Sequence, residues 1–199
     1  MITSPHGRSM LIPRSRWFLI RAQFVRYKPE YQPEAIAESL LKRYGIEVPP
    51  VPVYELAMSI DVDVFLGRGQ REPGVAVVKR TTRTVGAGKV VGVPDFVATV
   101  SLSPYVRNEQ RRFAAARALG HILMHEFLDN GTYYQVSDRS DDRDPRVLES
   151  IRFADALLMP EEMVRTYAPH LTFRERRLAE LFEVPVGAMK RRMRTLYGV

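Results

Sequence analysis

Residues 111–126 constrain the fold of this chain more than any other segment. They read RRFAAARALGHILMHE, contain no proline, and lie within a longer stretch, 108–127, whose apolar residues recur at helical spacing. These residues are Phe113, Ala116, Gly120, Leu123, Met124 and Phe127. A stripe of this kind predicts a long helix that buries one face against a core.

Within this predicted helix, Arg117 lies one turn before His121. The pattern H-E-x-x-H on a helix places two histidine zinc ligands on one face, with a general-base glutamate beside the first. In this chain the outer spacing is kept, but Arg117 occupies the first histidine position and Ala118 the glutamate position. A guanidinium group does not deprotonate to bind zinc, and a methyl group takes no proton from water. Positions 117 and 118 therefore argue against hydrolytic chemistry.

Composition narrows the class of protein. The chain has no cysteine, which excludes disulfides, thiolate zinc sites and cysteine nucleophiles and fits a cytoplasmic location. Its net charge of +7 suits contact with nucleic acid or with an acidic partner surface, although a scattered, solvated surface explains the same excess. No run approaches the ~18 apolar residues that a membrane span requires, so we expect no membrane segment.

Residues 1–31 form a basic segment ahead of the predicted domain. Arg14, Arg16 and Arg21 interrupt its short apolar islands, so it lacks the continuous apolar core of a signal peptide. We predict an N-terminal arm here. It could bind a partner, be poorly ordered, or be an extension upstream of a start at Met10.

The pattern that follows is helix, small sheet, then helices. Pro33 at the first helical position and Gly45 at the end predict a helix over Pro33–Tyr44, and a short helix is expected over Val53–Ser59. Apolar and β-branched runs predict strands over 62–66, 74–79, 89–93 and 96–102, with a hairpin loop over 81–89. Residues 129–144 are expected to be a polar loop.

The second half is expected to be helical. Asp144 and Pro145 predict the capped start of a helix that reaches Met159 and Pro160, and two further helices are expected over 173–182 and 186–196. The order of elements indicates an α+β fold. We divide the chain into an arm (1–31), a domain (32–170) and C-terminal helices (171–199).

Several blocks carry a family resemblance. Besides RALGH, they include Ala35-Ile36-Ala37-Glu38-Ser39-Leu40-Leu41, the proline-rich segment that follows it, and residues 149–160, reading ESIRFADALLMP. Over residues 32–199 the chain resembles the ImmA/IrrE family of metallo-endopeptidases, whose members typically cleave helix-turn-helix repressors of the XRE type. The resemblance implies a zincin-like α+β domain with a small β-sheet and a C-terminal helix-turn-helix-like part.

The resemblance also implies which residues would form the family's site. There, zinc is held by the two histidines of H-E-x-x-H and by the glutamate that opens the second block, and only His121 and Glu149 match those positions. We therefore expect no catalytic residues and no bound metal, and predict a pseudo-protease whose groove at Arg117, His121 and Glu149 binds an XRE-type repressor or an antitoxin. We further hypothesise that Arg117 pairs with Glu149 and replaces zinc as the link between two helices.

Two alternative functions also fit the sequence. One is an active zinc endopeptidase with unorthodox residues, in which His125, one turn after His121, could join His121 and Glu149 around a metal. A buried, hydrogen-bonded role for His121 is the simpler interpretation. An XRE-type gene beside this one, in a phage or mobile element, would indicate the partner.

The other alternative is a nucleic-acid-binding regulator. The last two predicted helices, joined by a short turn, have the spacing of a helix-turn-helix. The second helix carries Lys190, Arg191, Arg192 and Arg194. The same residues could instead lie on the solvent-exposed face of helices that pack on the domain.

Overall fold

The computed structural model describes residues 32–67, 73–83, 93–125, 132–136, 144–171 and 174–198. The predicted arm, residues 1–31, lies outside them. The elements in chain order are α1 (Pro33–Tyr44), α2 (Val53–Ser59), β1 (Val62–Leu66), β2 (Gly74–Arg83), β3 (Val93–Leu102), α3 (Asn108–Met124), β4 (Thr132–Val136), α4 (Pro145–Leu158), α5 (Glu161–Tyr167), a 3-10 turn (Pro169–Leu171), α6 (Glu175–Phe182) and α7 (Val186–Tyr197). This order confirms the α+β class.

Local capping signals set the ends of two helices. Helix α1 begins at Pro33, and Gly45 ends it in the left-handed conformation with φ of 63°, as the sequence predicted. Helix α4 has Pro145 at its start, and Asp144 Oδ1 accepts a hydrogen bond of 2.9 Å from the backbone N–H of Arg146. Both predicted starts are confirmed. They could be predicted from the sequence because each depends on contacts within a single turn.

The four strands form one sheet in the order β1-β3-β2-β4. Strand β1 runs parallel to β3, whereas β2 is antiparallel to both β3 and β4. Three strand predictions need correction. Val93 opens β3 instead of closing a separate strand, residues 81–83 belong to β2 instead of a loop, and β4 lies inside the segment predicted as a polar loop. Residues 84–92 lie outside the described ranges.

The core lies between the sheet and the helices. Helix α3 packs between the sheet and α4, and α1 covers another side of α4. Phe153, Leu157 and Leu158 of α4 are fully buried there, together with Leu119 and Ile122 of α3. This arrangement places α3 and α4, the two helices with the predicted site residues, in direct contact.

The C-terminal helices pack against this core. Leu178, Phe182 and Met189 are buried, and the ring of Phe182 meets Tyr167 edge-on at 6.4 Å between centroids. Helix α5 and the 3-10 turn, which connect α4 to α6, were not predicted. Within the described part of the chain, no helix is long and apolar enough to cross a membrane.

Candidate functional site

Helix α3 buries the residues that the sequence singled out. Arg117 is 4% exposed, Ala118 0% and His121 3%. At the start of the helix, the backbone N–H of Arg107 donates to Gln110 Oε1 at 3.3 Å, which caps the first turn. A cationic and an imidazole side chain therefore lie in the core on one helix, and both require partners there.

Gly120 lets α3 and α4 approach closely. A Cβ atom at this position would lie 2.9 Å from Cδ1 of Phe153, closer than real Cβ atoms come to a neighbour. The absence of a side chain therefore lets the Phe153 ring lie against the α3 backbone. This contact fixes the separation of the two helices beside His121.

Three side chains form a hydrogen-bonded chain: His121 of α3, His125 directly after α3, and Glu149 of α4. His121 Nδ1 and His125 Nδ1 are 2.8 Å apart, and His125 Nε2 is 3.0 Å from Oε2 of Glu149. Both histidines are buried, whereas the side chain of Glu149 is 46% exposed. His125 thus joins the two residues that match the family's ligand positions.

The hydrogen bonds determine which nitrogens carry protons. A carboxylate only accepts, so His125 Nε2 donates to Glu149. In neutral His125 the Nδ1 atom is then the acceptor, and His121 Nδ1 donates to it. This assignment leaves Nε2 as the unprotonated nitrogen of His121.

Burial keeps both imidazoles neutral. It is the main cause that lowers the pKa of His121 from 6.5 to about 3, and the charges of His125 and Arg117 lower it further. Burial also lowers the pKa of His125, although the hydrogen bond from its ring to Glu149 opposes this effect. The network at neutral pH therefore consists of two uncharged rings and one carboxylate.

Arg117 does not pair with Glu149, so the expected replacement of zinc by this ion pair is wrong. The carboxylate of Glu149 is bound by His125 instead. Arg117 borders a cavity of about 290 Å³ between α3 and α7, with Gln110, Phe113 and Arg191 in its wall. On this side, which faces α7, lies the buried carboxyl group of Asp155: burial raises its pKa, and the charges of Arg191, Arg192 and Arg117 oppose that rise.

Two of the four predicted nucleic-acid residues serve the packing of α7. Arg191 binds both carboxylate oxygens of Asp155, at 2.7 and 2.8 Å, and lies 5.5 Å from the ring centre of Phe113. Arg192 is buried and donates from Nε to the backbone oxygen of Met159 at 2.9 Å. Lys190 and Arg194 are exposed. The basic run of α7 is therefore divided between the domain contact and solvent.

Two residues of the site lay beyond the sequence predictions. His125 was considered only as a metal ligand, yet it is the hydrogen-bonding link between His121 and Glu149. Asp155 entered only as one residue of the block 149–160 that carries the resemblance, yet it is the buried anion that receives Arg191. The visible signals were the i,i+4 spacing of the two histidines and the single acid within an otherwise apolar stretch.

The described residues contain no group of three or more His, Asp or Glu side chains placed to hold a metal ion. The Nδ1 atoms of His121 and His125 face each other at hydrogen-bonding distance and share one proton, so both atoms are engaged in this hydrogen bond. The site is thus a hydrogen-bonded link between α3 and α4.

Fold and site together define an α+β domain of the zincin-like class. The family model described as the IrrE N-terminal-like domain (Peptidase_M78) matches residues 73–194. The chain belongs to this family.

A solved structure supports the fold. The chain is similar to a protein from Mycobacterium tuberculosis named as a transcriptional regulator, with a TM-score of 0.53 and 17% sequence identity. The match covers 91% of this chain but only 52% of that protein, so the chain spans about half its length. A comparison with curated proteins found no significant match.

Proposed function

We propose that this protein is a cytoplasmic regulator of the ImmA/IrrE type that binds a protein partner and does not hydrolyse it. The observation that carries the proposal is the pair Arg117 and Ala118, buried on α3 at the positions of the first zinc ligand and the general base. Loss of the ligand and loss of the base remove two independent requirements of zinc-dependent hydrolysis.

The hydrogen-bonding network supports this proposal. A catalytic zinc site generally has three protein ligands and a bound water. Here His121 and Glu149 are linked through His125, and Arg117 supplies a cation where a ligand would be needed. These donors do not fit a catalytic zinc centre, and we infer that the protein needs no metal.

The partner that we propose is an XRE-type repressor or an antitoxin. Of the predicted groove residues Arg117, His121 and Glu149, only Glu149 has an exposed side chain, so we place the contact there. A regulatory role agrees with the name of the similar M. tuberculosis protein, a transcriptional regulator.

Metal analysis after equilibrium dialysis tests the loss of catalysis. We expect less than a tenth of an equivalent of zinc on the full chain. An XRE-type repressor from the same genome should form a complex with the chain in isothermal titration calorimetry. The repressor should not be cleaved in that mixture. Stoichiometric zinc that disappears in the His121→Ala variant, with cleavage of the repressor, would overturn the proposal.

An active endopeptidase is the second candidate, and one observation favours it. His125 lies within hydrogen-bonding distance of both His121 and Glu149, so a rearrangement of these three side chains could recruit zinc. The same dialysis decides between the two functions. For direct binding of nucleic acid, α7 has two exposed basic residues from the predicted set, Lys190 and Arg194.

A further inference from the structure

A second concave surface lies away from the His121–Glu149 network. It is a cleft of about 830 Å³ between α1 and α5, within the range of about 300 to 1,000 Å³ typical of ligand-binding clefts. The turn after α1 and the end of α4 complete its walls. None of its described lining residues belongs to the network.

The floor of this cleft is apolar. Leu41 of α1, Ala156 of α4 and Met163 of α5 are buried along it, and Ile46 is partly buried beside them. Apolar residues in this position can contact the apolar side chains of a helix that lies along the cleft.

The rim of the cleft is acidic, which contrasts with the net charge of +7 of the whole chain. The described carboxylates that line it are Glu34, Glu38, Glu47, Glu161 and Glu162. The cations among the described lining residues are fewer: Lys42, Arg165 and Arg192. Arg152, beside the cleft, binds both carboxylate oxygens of Glu34, at 2.9 and 3.1 Å, and so neutralises that part of the rim. We call this surface, with its acidic rim and apolar floor, the acidic cleft.

The lining cations leave the rim able to bind another cation. Lys42 pairs with Glu38 at 2.8 Å and Arg165 with Glu161 at 2.7 Å, both as exposed pairs one turn apart that contribute little and exchange partners readily. Arg192 is buried and donates to the backbone oxygen of Met159. Glu47 and Glu162 have no ion pair within the described chain, so they are the first carboxylates available to a ligand.

We propose that the acidic cleft binds a Lys/Arg-rich amphipathic helix of a protein partner, with apolar side chains on the floor and basic side chains at the rim. The proposal rests on the proposed function, in which the chain regulates a DNA-binding protein. A helix that contacts DNA carries such basic residues. A partner held by this helix in the cleft cannot place it on DNA, which gives regulation without cleavage.

The test uses the full chain and a fluorescein-labelled helical peptide with Leu on one face and Lys and Arg on the other, followed by anisotropy. We expect the dissociation constant to rise at least tenfold for the double variant Glu47→Lys/Glu162→Lys. The matched control Glu55→Lys/Glu180→Lys, with exposed glutamates outside the cleft, changes the net charge equally and should stay within twofold. A scrambled peptide of the same composition should bind at least tenfold more weakly.

Equal weakening in the two double variants, or equal binding of the scrambled peptide, would overturn the proposal. Hydrogen exchange on the unmodified chain gives a reading that does not depend on the variants: the peptide should protect α1 and α5, and protection elsewhere only would contradict the assignment. Tighter, cleft-dependent binding of a peptide with the sequence of residues 10–31 would assign the cleft to the chain's own segment instead. Self-association that is lost in Glu47→Lys/Glu162→Lys would assign it to a second copy of the chain.

These results are separable from the proposed function. A repressor that binds the parent and the Glu47→Lys/Glu162→Lys variant with equal affinity, without being cleaved, would remove the cleft as a docking site and leave the proposed function intact. Zinc-dependent cleavage would remove the proposed function whatever the peptide does.

Discussion

His125 Nε2 donates a hydrogen bond to Glu149 Oε2 at 3.0 Å, and this contact joins α3 to α4. The same imidazole accepts from His121, so one residue outside the family's ligand positions links the two that match them. The two helices are therefore linked by a chain of hydrogen bonds that ends on the carboxylate of Glu149.

The link should be measurable as a coupling free energy. We expect His125→Ala to lower the free energy of unfolding by about 1 to 3 kcal/mol, because it leaves the buried His121 without this acceptor. Glu149→Ala should cost less, about 0.5 to 1.5 kcal/mol, because the half-exposed carboxylate gives way to water. A double-mutant cycle by urea denaturation should give a coupling of about 1 kcal/mol. Additive effects would show that the contact adds no stability.

Stability should decrease as the pH falls. The pKa of His121 is lowered in the folded state from 6.5 to about 3, so below pH 6.5 only the unfolded chain takes up a proton at this ring. Its contribution is complete above pH 6.5 and is lost progressively towards pH 3. One titrating group of this kind costs about 1.4 kcal/mol per pH unit, or about 2 kcal/mol at about pH 5.

Urea denaturation at about pH 7.5 and about pH 5 checks this expectation. His121→Gln should have a flatter pH dependence than the parent. His170→Gln, which removes an exposed histidine outside the network, serves as the control and should follow the parent. The interpretation fails if the parent and His121→Gln lose stability in parallel.

The close contact of α3 and α4 predicts opposite effects for two glycines. Gly120→Ala places a methyl group 2.9 Å from Phe153, and relief of the overlap should cost about 1 to 3 kcal/mol of unfolding free energy. Gly187→Ala meets no atom within 4 Å on helix α7 and should be neutral or stabilising by up to about 1 kcal/mol. Thermal denaturation of both variants provides the comparison, and equal melting temperatures would contradict it.

The ion pair between α4 and α7 predicts a difference between two neighbouring arginines. Arg191→Ala leaves Asp155 as a buried carboxylate without its bidentate partner, and we expect a loss of about 2 to 3 kcal/mol because Arg191 itself is partly exposed. Arg194→Ala, on the exposed face of the same helix, should change stability by less than about 0.5 kcal/mol. Chemical denaturation with matched slopes measures both, and similar values would mean that Asp155 does not depend on Arg191.

Short-range signals made much of the fold predictable. The bounds of α1 and the start of α4 followed from proline, glycine and aspartate at helix ends, whose contacts lie within one turn. Strand β4 was missed because its residues become a strand through pairing with β2, for which Val77 lies opposite Tyr133. Helix α5 was missed since its start lies directly after Pro160, at the point where the apolar block ends.

The candidate site divides in the same way. The sequence by itself determined that His121 and His125 lie four residues apart, and the resemblance predicted that Arg117 and Ala118 stand where the family has a ligand and a base. Only the tertiary structure decided that Glu149 bonds to His125, that Arg117 lies towards α7, and that Arg191 is paired with Asp155. Residue spacing fixes which side chains share a helix face, whereas the partner of a buried charge depends on which helix packs against that face.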